Sequence, residues 1–270
     1  MDNLQELLND EVVLLEEAID KNKLEGKRYS TGYSDFDEAM NGGLKVGDLV
    51  IISGRSGNGK TLFSQSITYN LCKDKIPTLW FSYEVIIEYL HQKFVDMGMP
   101  KFYQVFAPKV NTTGHLKWVK TKIQEAVKKF KTKVIFIDHI DFLVPSNVGR
   151  SSDNTSAYLK MITTELKSLA IELNVVIVCM AHLKKLRPDA EPEMEDIGYS
   201  AGIFQLADYV IMVNRETTKQ AIQFGDMPDN FIDKSVTHTN NTIVKIVKNR
   251  ETGINKIMKL TYKDNKLIKQ

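Results

Sequence analysis

The sequence predicts an α/β protein: a mostly parallel central sheet flanked by helices, with a β-hairpin near the C-terminus. Three observations carry this. Short apolar runs such as Val134 to Ile137 and Val175 to Met180 have the unbroken hydrophobicity of parallel strands covered on both faces. Segments of helical periodicity, Leu116 to Phe130 and Tyr158 to Leu173, lie between them. The run Leu49-Val50-Ile51-Ile52 leads into Gly54-Arg55-Ser56-Gly57-Asn58-Gly59-Lys60-Thr61, and Leu62 to Leu71 then reads as helix. Strand, glycine-rich loop and helix form the context in which this spacing marks a P-loop.

The chemistry of that loop is direct. Its glycines let the backbone turn its amides toward an anion, and the positive end of the following helix adds a fixed field. Lys60 is placed to reach the β- and γ-phosphates, and the Thr61 hydroxyl to hold Mg²⁺. A turn that matches by chance is the alternative, and the flanking strand and helix weigh against it. ATP and Mg²⁺ are the expected cofactors.

The 270 residues fit one large domain or one domain with a small attachment, and an apolar fraction of 43% is ordinary for a globular protein. No run is long enough for a membrane span, and Met1-Asp2-Asn3 does not begin a signal peptide. Cys72 and Cys179, the only cysteines, sit in apolar runs, which argues against a zinc site or a disulfide. The expectation is a cytoplasmic protein. A net charge of +2 says little about nucleic acid, because an average hides local patches. From Lys245 onward cations outnumber acids, as either a polyanion contact or a solvated basic face requires.

Taken in order, Leu4, Leu7, Leu8, Val12, Leu15 and Ile19 recur at helical spacing, giving an amphipathic helix that ends near Lys23 to Gly26. It packs on its own domain or docks on a neighbouring subunit. The boundary drawn is 1–28 for this segment and 29–270 for the main domain. Ser34 reads as the N-cap of a short helix that Gly42-Gly43 stops, and Gly47-Asp48 turns the chain into the P-loop strand.

Pro77 to Ser82 reads as a strand, with Glu84 just past its end. That is the rim where open α/β sheets bind ligands, so Glu84 is a candidate to polarise the water that attacks a γ-phosphate. A helix-start glutamate favouring a dipole is the equal alternative. Tyr89 to Pro108 reads as helix then loop. Asp138 closes the strand beginning at Val134 and is placed to support Mg²⁺ opposite Thr61. Asp141 reads as a loop or helix-start residue.

Pro145 to Thr155 has loop composition, with Arg150 a candidate phosphate contact or plain surface residue. His182 ends the strand from Val175 and lies on the same rim, as a structural histidine or a γ-phosphate sensor. Lys184 to Pro192 and Gly198 to Gly202 read as loops, Tyr209 to Val213 as a strand, and Thr217 to Asn240 as an excursion without pattern. Thr242 to Val247 and Ile254 to Tyr262 flank a hairpin turn, followed by a turn at Asp264-Asn265 and a tail from Lys266 to Gln270.

With these residues in place, the chain resembles the DnaB-type replicative helicase family, whose motor is a RecA-like ATPase, from Thr31 to Ile268. The order of motifs carries the likeness. Thr31-Gly32-Tyr33 with Gly42 to Asp48 is similar to the family's opening segment, and Phe81-Ser82-Tyr83-Glu84 to its catalytic-glutamate motif. Ile137-Asp138 resembles the Mg²⁺-binding aspartate motif. Ala181-His182-Leu183 resembles the phosphate-sensing motif, with histidine as in the phage primase-helicase and mitochondrial branch, where the bacterial branch has glutamine.

Asp196 to Asp208 is similar to the family's channel loop for DNA. This chain departs from it in carrying Gly198 where many members have a basic residue, and Tyr199 where they have a polar one. Backbone amides together with Ser200 and Gly202 are then the expected phosphate contacts. Lys248-Asn249-Arg250 with Thr252-Gly253 resembles the finger motif, whose cations reach the adjacent subunit's ATP site; a salt-bridged hairpin is the alternative. The resemblance implies a RecA-like motor without the scaffold, zinc or primase domain that usually precedes it. It implies a homohexameric ring that moves on single-stranded DNA and unwinds duplex, with a separate primase or loader. A filament-forming recombination ATPase and a regulatory ATPase acting on protein are the rivals.

Overall fold

The structure, a computed structural model, describes residues 26–99, 103–146, 148, 152–182, 201–223 and 232–269. In chain order, β1 (Arg28–Tyr29) pairs antiparallel with β2 (Leu44–Lys45) around α1 (Ser34–Ala39). The parallel part follows: β3 (Leu49–Gly54), α2 (Lys60–Lys73), β4 (Thr78–Ser82), α3 (Ile87–Asp96), β5 (Val105–Phe106), α4 (Leu116–Phe130) and β6 (Val134–Asp138). After a 3-10 turn (Ile140–Leu143) come α5 (Ser152–Leu173), β7 (Val176–His182), α6 (Ala201–Leu206) and β8 (Tyr209–Gln223). β9 (Ile232–Asn249), β10 (Lys256–Lys263) and β11 (Lys266–Lys269) complete the described chain.

These strands make one nine-stranded sheet in the order β11-β10-β9-β8-β3-β7-β6-β4-β5. From β8 through β5 every pairing is parallel; from β8 outward to β11 every pairing is antiparallel. The expected architecture is therefore observed, with the C-terminal hairpin enlarged into a meander.

The continuous apolar runs are explained by helices on both faces. Side chains alternate across a strand, so in β3 Val50 and Ile52 enter one core while Leu49 and Ile51 enter the other. The first core gathers Trp80, Phe136 and Val178 against Phe63, Ile67 and Leu71 of α2. The second sets Ile135, Ile137 and Ile177 against Val119 and Ile123 of α4 and against Leu159, Ile162 and Leu166 of α5. Those three α5 residues are fully buried, and burying a side chain of this size contributes about 1.5–3 kcal/mol. Trp80 satisfies its indole N–H on Thr68 Oγ1 at 3.0 Å, so a large ring is buried without an orphan donor.

Several expectations are corrected. Ser34 is the first helical residue and not the cap; Tyr33 holds the cap position without a side-chain cap bond, and its carbonyl accepts from Phe36 N and Asp37 N, each at 2.9 Å. The loop read over Pro145 to Thr155 gives way at Ser152, where α5 begins, well before Tyr158. Thr217 to Asn240 is not patternless: its described parts extend β8 and β9 as a two-stranded ribbon, paired from Thr217↔His238 to Gln223↔Ile232. Lys266–Lys269 is a strand paired with β10 and not a tail. Gly202 belongs to α6 and not to a loop. The N-terminal helix, read over residues that include 1–25, lies outside the described residues.

Candidate active site

Strand register builds the site. Gly54 at the end of β3 lies beside His182 at the end of β7, and Ser82 of β4 lies beside Asp138 of β6. Parallel pairing thus brings the P-loop, Glu84, Asp138 and His182 to one rim, although 128 residues separate Gly54 from His182 in the chain.

Gly54 is required by close approach: a Cβ built there would lie 2.1 Å from the Val213 carbonyl oxygen. Gly59 precedes α2 with φ of 93°, in the left-handed region that favours glycine, and a Cβ there would meet nothing within 4 Å. The space beside that position is therefore open. Lys60 is buried, and its ammonium donates to Gly54 O at 2.9 Å and Arg55 O at 3.1 Å. Burial pulls its pKa below the ordinary lysine range, against the raising influence of Glu84, Asp138 and Asp141. Asn58 is fixed by donating to Asn214 Oδ1 at 2.8 Å.

The Thr61 hydroxyl donates to Asp138 Oδ2 at 2.7 Å. Asp138 Oδ1 is buried and has no hydrogen-bond partner among the described residues. Burial raises the Asp138 pKa, and the Thr61 bond opposes that rise. A hydroxyl and an orphaned carboxylate oxygen side by side are hard donors of the kind Mg²⁺ takes, so the pair fits that ion.

Glu84 Oε1 lies 3.1 Å from His182 Nε2 and 3.2 Å from His139 Nε2. The two imidazoles meet edge to face, with centroids 4.1 Å apart. Burial lowers the His182 pKa, and His139 and Lys60 lower it further. His139 escaped the sequence reading because nothing in its spacing points to Glu84; only the pairing of β4 with β6 joins them. Asp141, read as a loop or helix-start residue, lies in the 3-10 turn and places Oδ2 2.8 Å from His139 Nδ1.

A cavity of about 470 Å³ extends from the P-loop, lined also by Gln65, Tyr89, Lys93, Arg215 and Tyr262. Its size is within the range of small-ligand pockets. Lys248 and Arg250 do not line it. They turn instead to the end of α6: Lys248 donates to the carbonyls of Phe204 and Gln205, while Arg250 donates to Gln205 O and pairs with Asp208 Oδ1 at 3.3 Å. Arg150, Gly198, Tyr199 and Ser200 lie outside the described residues.

Comparison with known proteins establishes the kinship of the chain. The family described as DnaB-like helicase C terminal domain matches residues 29–101 and 103–267. The replicative DNA helicase DnaB of Haemophilus influenzae is 29% identical over 221 residues, covering 69% of this chain and 46% of that protein. The replicative DNA helicase DnaC of Bacillus subtilis is 26% identical over 249 residues, covering 82% and 51%. The chain thus spans about half the length of these relatives. Among solved structures, one described as an ATPase domain aligns with a TM-score of 0.74 at 18% identity, covering 96% of this chain and all of that one. A DnaB-like replicative helicase, solved in a study of its interactions with primase, aligns with a TM-score of 0.71 at 18% identity, covering 96% and 67%. At such identities the structural likeness shows the fold, and the family match shows the kinship: the chain belongs to the DnaB-like helicase C-terminal domain family.

Proposed function

We propose that this chain is the ATP-hydrolysing motor of a replicative DNA helicase, working as a homohexameric ring on single-stranded DNA. The observation that carries the reading is the shared rim, where register unites the P-loop with Glu84, Asp138 and His182. Lys60 and the loop amides bind the phosphates of ATP, and Thr61 and Asp138 hold Mg²⁺, which supplies charge neutralisation at the phosphates. Glu84 orients and deprotonates the attacking water, and His182 senses the γ-phosphate. Lys248 and Arg250, turned away from their own cavity, serve the neighbouring subunit, where cationic charge favours the transition state. DNA contacts are assigned to the segment before α6, and to Gly202 at its start. A separate primase or loader completes the proposal.

The test is ATP hydrolysis with and without single-stranded DNA at low salt, followed by strand displacement. Stimulated turnover and displacement of a labelled strand are expected. Turnover indifferent to DNA would overturn the helicase reading in favour of a regulatory ATPase, and filaments in place of rings under electron microscopy would favour a recombination ATPase.

A further inference from the structure

We propose that Glu84, His139 and His182 form a binding site for a d-block dication of the Zn²⁺ type, distinct in chemistry from the Mg²⁺ site at Thr61 and Asp138. One ligand atom from each of the three side chains lies within 4.8 Å of the others. The two carboxylate-to-imidazole separations are 3.1 and 3.2 Å. A tetrahedral centre with bonds of about 2.0–2.1 Å places its ligand atoms roughly 3.3 Å apart, so these two separations need little adjustment. Against the expectation drawn from the two cysteines, the set needs none: two imidazoles with one carboxylate suit zinc, and Mg²⁺ does not favour them.

The surroundings add a second observation. His139 is only 8% exposed, and its Nδ1 has no hydrogen-bond partner among the described residues. Asp141 Oδ2 nevertheless stands 2.8 Å from that nitrogen, out of line for a hydrogen bond. Outer support of a metal site requires that nitrogen to donate to the carboxylate, so a reorientation of the ring on metal binding would complete it. Glu84 and His182 line the cavity, which leaves a coordination position open to water or phosphate oxygen.

The consequence rests on the role proposed for Glu84: a carboxylate bound to Zn²⁺ no longer serves as base, so the cation inhibits hydrolysis. The experiment titrates Zn²⁺ alone into the nucleotide-free chain against a chromophoric chelator, in excess Mg²⁺, with Co²⁺ absorbance as a probe of geometry. One Zn²⁺ per chain is expected, with affinity at least about tenfold weaker in each of His139→Ala and His182→Ala. Unchanged circular dichroism and Tm in both variants show that they fold; His139→Asn replaces the buried variant where His139→Ala does not fold. No binding, or binding unchanged in the double variant, where His91, His115 and His238 remain, overturns the site as an adventitious ion only. Zn²⁺ bound through both histidines without inhibition of turnover overturns the role of Glu84 and leaves the metal site standing.

Discussion

The Thr61 hydroxyl donates its hydrogen bond to Asp138 Oδ2 at 2.7 Å, joining the start of α2 to the end of β6 across 77 positions of chain. That contact leaves Asp138 Oδ1 as a buried acceptor without a protein donor among the described residues. Asp138→Asn is expected to lower Mg²⁺-dependent turnover by about a hundredfold or more, with nucleotide binding in chelator largely kept. Hydrolysis and fluorescent-nucleotide binding, each with and without Mg²⁺, check this; unchanged turnover would remove Asp138 from the metal site.

Asp48 carries a pH dependence unrelated to catalysis. Burial, reinforced by Asp208, raises its pKa from 3.8 to about 7. Between those values the folded state holds a proton that the unfolded state has lost, so the contribution is full below pH 3.8 and disappears as pH rises through about 7. Asp48→Asn is therefore expected to stabilise the protein at pH 8 by on the order of 2 kcal/mol, with little gain below about pH 4. Denaturant unfolding across that range measures the difference, and a gain independent of pH would contradict it.

Gly54→Ala tests packing at the head of the loop. The added Cβ falls 2.1 Å from a backbone carbonyl that belongs to β8, so neither side yields easily. A loss of about 3 kcal/mol or more is expected, seen as a drop of several degrees in Tm. An unchanged Tm would mean that β3 and β8 separate more readily than their pairing implies.

Arg250→Ala should abolish DNA-stimulated hydrolysis while leaving nucleotide binding intact, because its partners are Gln205 and Asp208 and not its own cavity. A partly exposed ion pair of this kind contributes about 1 kcal/mol or less to stability, so folding should survive. Mixing this variant with Lys60→Ala chains should restore some turnover if the cation acts across subunits. No restoration in mixed assemblies, with each variant inactive alone, would place Arg250 in its own subunit's chemistry.

Much of this site was legible because its strands are buried on both faces. Val134 to Ile137 and Val175 to Met180 announce themselves as apolar runs, and a residue such as Asp138 stands out by ending one. His139 gave no such signal, since its significance arises from the neighbour that β4 supplies. The ribbon of β8 and β9 was missed for a related reason. Beyond Arg215 and Asn241 its strands pair only with each other among the described residues, and that long-range pairing leaves no local mark in the sequence. The cavity residues Arg215 and Tyr262 went unnoticed because only the sheet order brings the antiparallel meander beside the P-loop.

Asp208 accepts a hydrogen bond from Leu49 N, at the opposite end of β3 from Gly54, and it also holds Arg250. A six-residue strand is about 20 Å long. One stiff strut therefore sets the interval between the phosphate cradle proposed for a subunit and the cation proposed to serve the next. In a ring of such chains, successive reaction centres would be gauged by the length of β3 and not by the slack of a loop.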